Sequence, residues 1–284
     1  MISRKRRVDP LTIGIMLTAG LLHASWHGLV KSSANQITLL AGMGAVATLI
    51  AICALPFVAA PPADIWPVMA ASVALHVGYK LCLARAYVRG DLGQAFPLAR
   101  GTVPLFSTTL AFLVFRQAPA LWQCVGIGLT SAGLLTLTTG TANKASGRLL
   151  LAAAGAGLAV AGYSVLDSYG TRLYGDWLGF TAWLVLLDNV LFLAIARTMV
   201  GPQFWGELID LRAKVVISGV LGVLSFGAFL WALSFNPVGP VSALRETSVI
   251  FAVLIGWAAH REVLSGRRIA AAAMVLLGVM VFAS

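Results

Sequence analysis

Apolar runs long enough to cross a bilayer recur along the whole chain, separated by short polar gaps. A helix needs roughly 20 apolar residues to span the hydrocarbon core. A soluble protein of 284 residues could bury a large core, but not this many long, uniform runs. The composition agrees. Apolar residues make up 59% and charged residues 11%, against roughly 25% charged in an average soluble domain. Backbone polar groups in lipid need internal partners, so spanning elements must be helices or closed barrels. A barrel requires alternating apolar and polar residues, and these runs are continuous. The sequence therefore predicts an all-α integral membrane protein.

The formal net charge of +10 does not point to nucleic acid. Most Lys and Arg residues stand singly or in pairs at the ends of apolar runs, where a long stem stays apolar and the charge reaches the headgroups. The exception is the basic run Arg4–Arg7. Cys53, Cys82 and Cys124 lie in apolar runs without metal-like spacing and are expected to be buried small hydrophobes. No metal site, catalytic residue or cofactor is implied.

Taken in order, the runs read as ten spans, near 10–30, 36–59, 65–88, 92–115, 120–137, 148–169, 176–196, 213–235, 238–259 and 267–282. The first is expected to be a retained helix rather than a cleaved leader, since it carries His23, Trp26 and His27 and precedes further spans. Glycines at 126, 128 and 133, and again at 155, 157 and 162, offer small surfaces for close packing. The loop 197–212 holds Trp205 and is expected to form an interfacial turn of helix. The polar stretch TTGTANKASG near mid-chain divides the molecule. The expected organisation is a basic cytoplasmic tail (1–9), a first five-helix repeat (10–140), a connector (141–147) and a second repeat (148–284). An odd number of spans per repeat makes the two halves inverted, an arrangement that places transporter sites near the midplane.

The basic tail argues for a cytoplasmic N-terminus, and an even span count then brings the C-terminus to the same side. The loops disagree. That orientation leaves Lys144, Arg148, Arg197, Arg212, Arg261, Arg267 and Arg268 near the outer face, with Arg116 and Arg172 inside.

Two stretches carry the duplication. DLGQAFPLARGTVPLFSTTLAFLVFRQ (91–117) and NPVGPVSALRETSVIFAVLIGWAAHRE (236–262) are both apolar and bear prolines. A shift of 145 positions puts Arg100 on Arg245, Thr102 on Thr247, Phe106 on Phe251 and Arg116 on Arg261. Pro97 and Pro104 flank Arg100, while Pro237 and Pro240 precede Arg245. Proline lacks an N–H and disturbs the turn before it, so freed carbonyls are expected there.

Ionisable groups inside spans are functional candidates, because they are expensive unless paired or wet. Arg100, Arg245 and Glu246 are deep, and adjacent helical positions point apart, so Glu246 can neutralise Arg100 or Arg245 from another helix or face a substrate. His23 and His27 share a face with Lys31 by four-residue steps, with Trp26 beside them. His76, Tyr79 and Lys80 lie deep in the third span, and Lys80 needs water or a carboxylate. Asp167 and Asp188 are the deep acids available, with Tyr163 one turn before Asp167 and with Trp183 and Asn189 near Asp188. Trp26, Trp183 and Trp231 are deeper than the belt candidates Trp66, Trp122 and Trp205.

This pattern resembles the EamA-type branch of the drug/metabolite transporter superfamily over almost the whole chain. The resemblance rests on short-looped spans in two repeats, proline-bearing fourth and ninth spans, and a brief polar turn followed by a further apolar helix. The family often ends its fourth span with a small-residue–glycine–Glu turn. Phe115-Arg116-Gln117 lacks that acid, whereas His260-Arg261-Glu262 keeps one. Within the branch the chain looks like the amino-acid exporters, including those for aromatic amino acids. The resemblance implies a cavity lined mainly by the first, third, fourth, sixth, eighth and ninth spans. It places His23, Trp26, His27, His76, Tyr79, Arg100, Tyr163, Trp231, Arg245 and Glu246 near the path.

The expected activity is secondary export of neutral or aromatic amino acids by alternating access, with the cargo carboxylate on Arg100, Arg245 or an imidazole. Another cargo, such as a drug, nucleoside or sugar-related metabolite, is the alternative. Proton coupling through Asp167 or Asp188 competes with plain charge balance between acids and bases. No H-E-x-x-H motif, activated serine or metal-spaced acid pair supports an enzyme. The expected setting is the plasma membrane, or the inner membrane of a Gram-negative cell. The expected partners are the small-molecule cargo and lipid, with the protein a monomer or weak homodimer.

Overall fold

The structure is a computed structural model that describes residues 8–89, 92–137, 147–260 and 265–283. The basic run 4–7, the connector 141–146 with Lys144, and the acid-bearing turn at 261–262 lie outside the described residues. All regular structure among the described residues is helical. In chain order the helices are α1 (Pro10–Lys31), α2 (Gln36–Ala54), α3 (Ile65–Arg89), α4 (Leu92–Phe115), α5 (Leu121–Thr136), α6 (Gly147–Tyr174), α7 (Trp177–Val200), α8 (Phe204–Asp210), α9 (Arg212–Phe235), α10 (Val238–Arg245), α11 (Ser248–His260) and α12 (Gly266–Ala283).

Local chemistry explains several ends. The Asp9 carboxylate accepts the Thr12 backbone N–H at 2.9 Å, and Pro10 fills the first helical position, where no N–H is needed. Asp176 likewise accepts from Leu178 N at 2.9 Å at the start of α7, which ends at Gly201 with φ 85°. A short 3-10 turn, Leu55–Phe57, precedes the Pro61-Pro62 break after α2.

α4 ends in a different way. Arg116 N bonds Phe112 O at 2.9 Å, Gln117 N reaches Ala111 O at 3.5 Å, and Arg116 has φ 56°. This is a Schellman-type cap with arginine at the left-handed position that glycine usually fills. It is also the position where the resembling family has its glycine.

Six segments among the described residues are long and apolar enough to cross a membrane: Pro10–Lys31, Gln36–Phe57, Ile65–Cys82, Trp177–Val200, Arg212–Phe235 and Val238–Ile255. Arg100–Phe115 and Leu121–Thr136 are shorter apolar helices. Large apolar side chains such as Leu121, Ile217, Leu276 and Met280 project outward, more than half exposed. In water such a surface would drive association. In a bilayer it is the lipid-facing coat. Cys53, Cys82 and Cys124 belong to this outer face, not to the core as expected. Any apolar side chain suits lipid, so their apolar surroundings did not imply burial.

The helices pack in interlocking pairs: α2 on α7, α5 on α12, α1 on α9, α3 on α6, α4 on α6, and α1 on α11. Small residues permit the closest approaches. A Cβ at Gly133 would stand 2.9 Å from Ala271 O, and one at Gly278 would stand 2.7 Å from Gly126 O, so α5 and α12 touch backbone to backbone. Gly162 meets Leu75 of α3 in the same manner, whereas Gly128 and Gly155 face open space.

The expected ninth span is interrupted. α10 stops at Arg245 and α11 starts at Ser248, with 3-10-type bonds Glu246 N to Ala243 O and Thr247 N to Leu244 O, both 3.1 Å. The prolines do not make this break. Pro237 caps α10 and Pro240 sits in its first turn, where an N–H has no helical acceptor. α4 continues through positions 97 and 104. The interruption falls where the Thr247 hydroxyl bonds Leu244 O at 2.7 Å and competes for a helix carbonyl.

Candidate functional site

A cavity of about 150 Å³ occupies the middle of the bundle, with room for roughly ten waters at about 15 Å³ each. α1 contributes His23, Trp26 and His27, which share one face at i, i+3 and i+4. The Trp26 and His27 rings stack at 3.7 Å, and His23 meets Trp26 edge-on at 5.0 Å. α3 contributes His76, Tyr79 and Lys80; α4, Arg100; α6, Tyr163; α7, Asp188 and Asn189; and the end of α10, Arg245.

The charged groups sort into pairs with one exception on each side. Arg100 Nε lies 3.1 Å from Glu246 Oε2, and both side chains are almost wholly buried. Arg100 Nη2 also lies 3.2 Å from His23 Nε2. A guanidinium only donates, so His23 Nε2 accepts and its proton sits on Nδ1. Lys80 Nζ donates to Asp188 Oδ2 at 2.5 Å and to Asn189 Oδ1 at 2.8 Å. Asn189 is itself oriented by donating to Val185 O at 2.7 Å.

Asp167, fully buried, accepts from the Ser72 hydroxyl and from His76 Nε2 at 3.0 Å, with no Lys or Arg in its ion pairs. Arg245 is the converse. Its Nη1 donates to the Tyr163 hydroxyl at a long 3.5 Å, and its guanidinium lies 4.2 Å from the Phe229 ring centroid. Among the described residues no carboxylate is within ion-pair distance of it. Glu246 is its chain neighbour but is turned to Arg100.

Most of the candidates thus meet at one cavity. Asp167 and Glu246 stand behind its wall, each buried against a wall residue. Lys31 is exposed at the end of α1 and lies off the polar stripe. Trp231 does not reach the cavity. The lining face of α9 runs through Gly219, Gly222, Val223 and Phe226, and four-residue steps continue it to Leu230. Trp231 is rotated away and meets Phe235 at 5.7 Å. Trp183 is no deep cavity residue either, since it bonds Ala59 O at 3.2 Å and packs edge-on to Trp66.

Sequence reasoning missed the second span's share of the wall, Leu40, Met43, Gly44 and Ala47, and passed over Ser225 and Phe226. Gly44 offered a faint signal. A Cβ there would stand 2.8 Å from Asn189 Oδ1, so only glycine leaves room for that amide.

The chain is a multi-pass membrane protein with a polar and aromatic cavity at its centre. Residues 147–284 match the EamA-like transporter family, which is a family of transporters and not of enzymes. No curated protein matches the chain. The fold has a counterpart in a solved crystal structure of another protein, with TM-score 0.74 and 18% identity over 96% of each chain. At that identity the likeness concerns the fold alone.

Proposed function

We propose that the chain is a secondary transporter that moves neutral amino acids, aromatic ones included, by alternating access across the plasma membrane. Ten spans serve this reading: α1–α5, then α6, α7, α9, the interrupted pair α10–α11, and α12, with α8 on the interface. The packing pattern supports two related halves. Exchanging the first five spans for the second five turns α1 on α9 into α6 on α3, turns α4 on α6 into α11 on α1, and maps α2 on α7 and α5 on α12 onto themselves. Five spans per half make the halves inverted, with the cavity at their shared centre.

The single observation that carries the cargo assignment is Arg245. It is a guanidinium on the cavity wall with a phenol and an aromatic ring for company and no carboxylate. A cargo carboxylate supplies the missing counter-charge in a charge-assisted hydrogen bond. Trp26, Tyr79, Tyr163 and Phe226 offer ring faces and edges to the cargo side chain. Arg100 is the weaker carboxylate site, since Glu246 already neutralises it. The cavity is complete within one chain, so a monomer suffices. Outward direction and cytoplasmic termini follow the family resemblance and the basic tail.

The test is uptake of labelled amino acids into liposomes holding equal amounts of wild type and Arg245→Ala. Losing one hydrogen bond to a charged group removes about 1.5–3 kcal/mol, which corresponds to a KM raised roughly 10- to 150-fold. Arg245→Lys is expected to fall between the two. Equal KM values for wild type and Arg245→Ala would defeat the assignment.

A further inference from the structure

Two charges on or just behind the cavity wall lack a permanently charged partner among the described residues, and they are opposite in sign. Asp167 is held by the Ser72 hydroxyl and by His76 Nε2 at 3.0 Å. Arg245 is held by the Tyr163 hydroxyl. Tyr163 joins them, because its ring also stacks on His76 at 3.8 Å with 21° between the planes. A carboxylate only accepts, so His76 Nε2 carries a proton and Nδ1 is the titratable atom. Nδ1 has no hydrogen-bond partner among the described residues, and the ring lines the cavity.

We infer that His76, seated on Asp167, is the proton-coupling site, and that the cavity holds either a proton on His76 Nδ1 or the ammonium group of a zwitterion, not both. This rests on the amino-acid reading above. With the proton on, an imidazolium balances Asp167. With the cargo on, its carboxylate meets Arg245 and its ammonium brings the balancing positive charge. Both together put two cations beside one buried carboxylate, where a low dielectric makes their repulsion strong.

The proton arrives from water on one side of the membrane, bonds Nδ1, and leaves to water on the other side; only that N–H bond forms and breaks. Exclusive occupancy then exchanges cargo outward for protons inward. The groups around His76 leave it this role. On its own helix, Lys80 is cancelled by Asp188 of α7, and Tyr79 is a phenol. α6 presents Tyr163 and Asp167, α4 presents Arg100 cancelled by Glu246, and α10 presents Arg245 beyond Tyr163. α9 offers the Phe226 ring edge-on, and the cavity face of α2 has no titratable side chain.

The experiment uses purified full-length protein in liposomes loaded with L-phenylalanine and a pH-sensitive dye. Labelled exchange with equal phenylalanine on both sides measures transport. Dye response during efflux, divided by phenylalanine moved, measures protons per cargo. That ratio does not depend on how far a substitution slows transport. Wild type is expected to exchange phenylalanine and to take up protons as it leaves. His76→Gln is expected to lose the proton movement while phenylalanine still moves at some rate. Asp167→Asn is expected to do the same, and it serves as the test variant if His76→Gln does not fold.

Exchange by wild type without proton movement overturns this inference and leaves the transport proposal standing. An unchanged proton ratio in the variant also overturns it. So does a folded variant that moves no phenylalanine, because His76 is then a cargo contact only. Absence of any exchange by wild type overturns the coupling and the amino-acid reading together.

Discussion

Replacing Glu246 with glutamine is expected to destabilise the protein by about 3–5 kcal/mol, the usual effect of leaving one member of a buried ion pair without its counter-charge. Arg100 is 2% exposed and Glu246 0%. At the observed 3.1 Å separation, a unit-charge attraction is roughly 5 kcal/mol with an effective dielectric of about 20. The glutamine amide oxygen can still accept a hydrogen bond from Arg100, so most of the loss is the charge term. Removing both charges is expected to be milder. Buried pairs exchanged for apolar residues of similar volume are often neutral or stabilised by about 1–4 kcal/mol, so Arg100→Met combined with Glu246→Leu should approach wild-type stability. His23 then loses a donor, which works against full recovery. The assay is a double-mutant cycle on purified protein in mixed micelles, unfolded with SDS and followed by tryptophan fluorescence. The chain's eight tryptophans provide the signal. Independent sites add within about 0.3–0.5 kcal/mol. Single-variant losses that sum to the double-variant loss within that margin would refute the coupling of Arg100 to Glu246.

Two further outcomes follow from local geometry. Arg116→Gly places glycine at the left-handed φ of 56° and is expected to raise stability by about 1 kcal/mol, since that conformation costs other L-residues roughly 1–2 kcal/mol; an unchanged or lower unfolding midpoint would show that the side chain contributes more than the backbone loses. Gly44→Ala drives a methyl to within 2.8 Å of Asn189 Oδ1, the same oxygen that accepts from Lys80. Overpacking of this kind costs about 1–3 kcal/mol, and the lowered midpoint should be accompanied by slower transport in liposomes.

The candidate site was partly legible in the chain. His23 and His27 share a face by helix arithmetic, and so do Tyr163 and Asp167, so their common lining of one cavity follows from the 3.6-residue period. Lys80 was expected to need a carboxylate, and Asp188 supplies it. The pairing itself was not legible. Either Asp167 or Asp188 could have met Lys80, and either Arg100 or Arg245 could have met Glu246. Positions 80 and 188 are joined only by how α3 leans on α7. Trp231 shows the limit of reasoning from residue type, because a tryptophan in an apolar span carries no mark of whether it faces lipid or cavity.

What the chain determined alone is its class and most of its helix limits. Hydrocarbon gives backbone polar groups no partner, so apolar runs of that length have to be helical. Pro10, Gly201 and the Pro61-Pro62 break then mark ends through purely local backbone chemistry. The tertiary structure alone decided where the second proline-bearing stretch breaks and which of its charges remains uncompensated. The mirrored prolines sit in a continuous α4 on one side and at the start of α10 on the other. The break comes at Glu246, which turns to a partner 146 positions away in the chain and leaves Arg245 facing the cavity. That choice depends on a contact between the two halves, and electrostatic energy across such a contact has no counterpart in either sequence segment taken by itself.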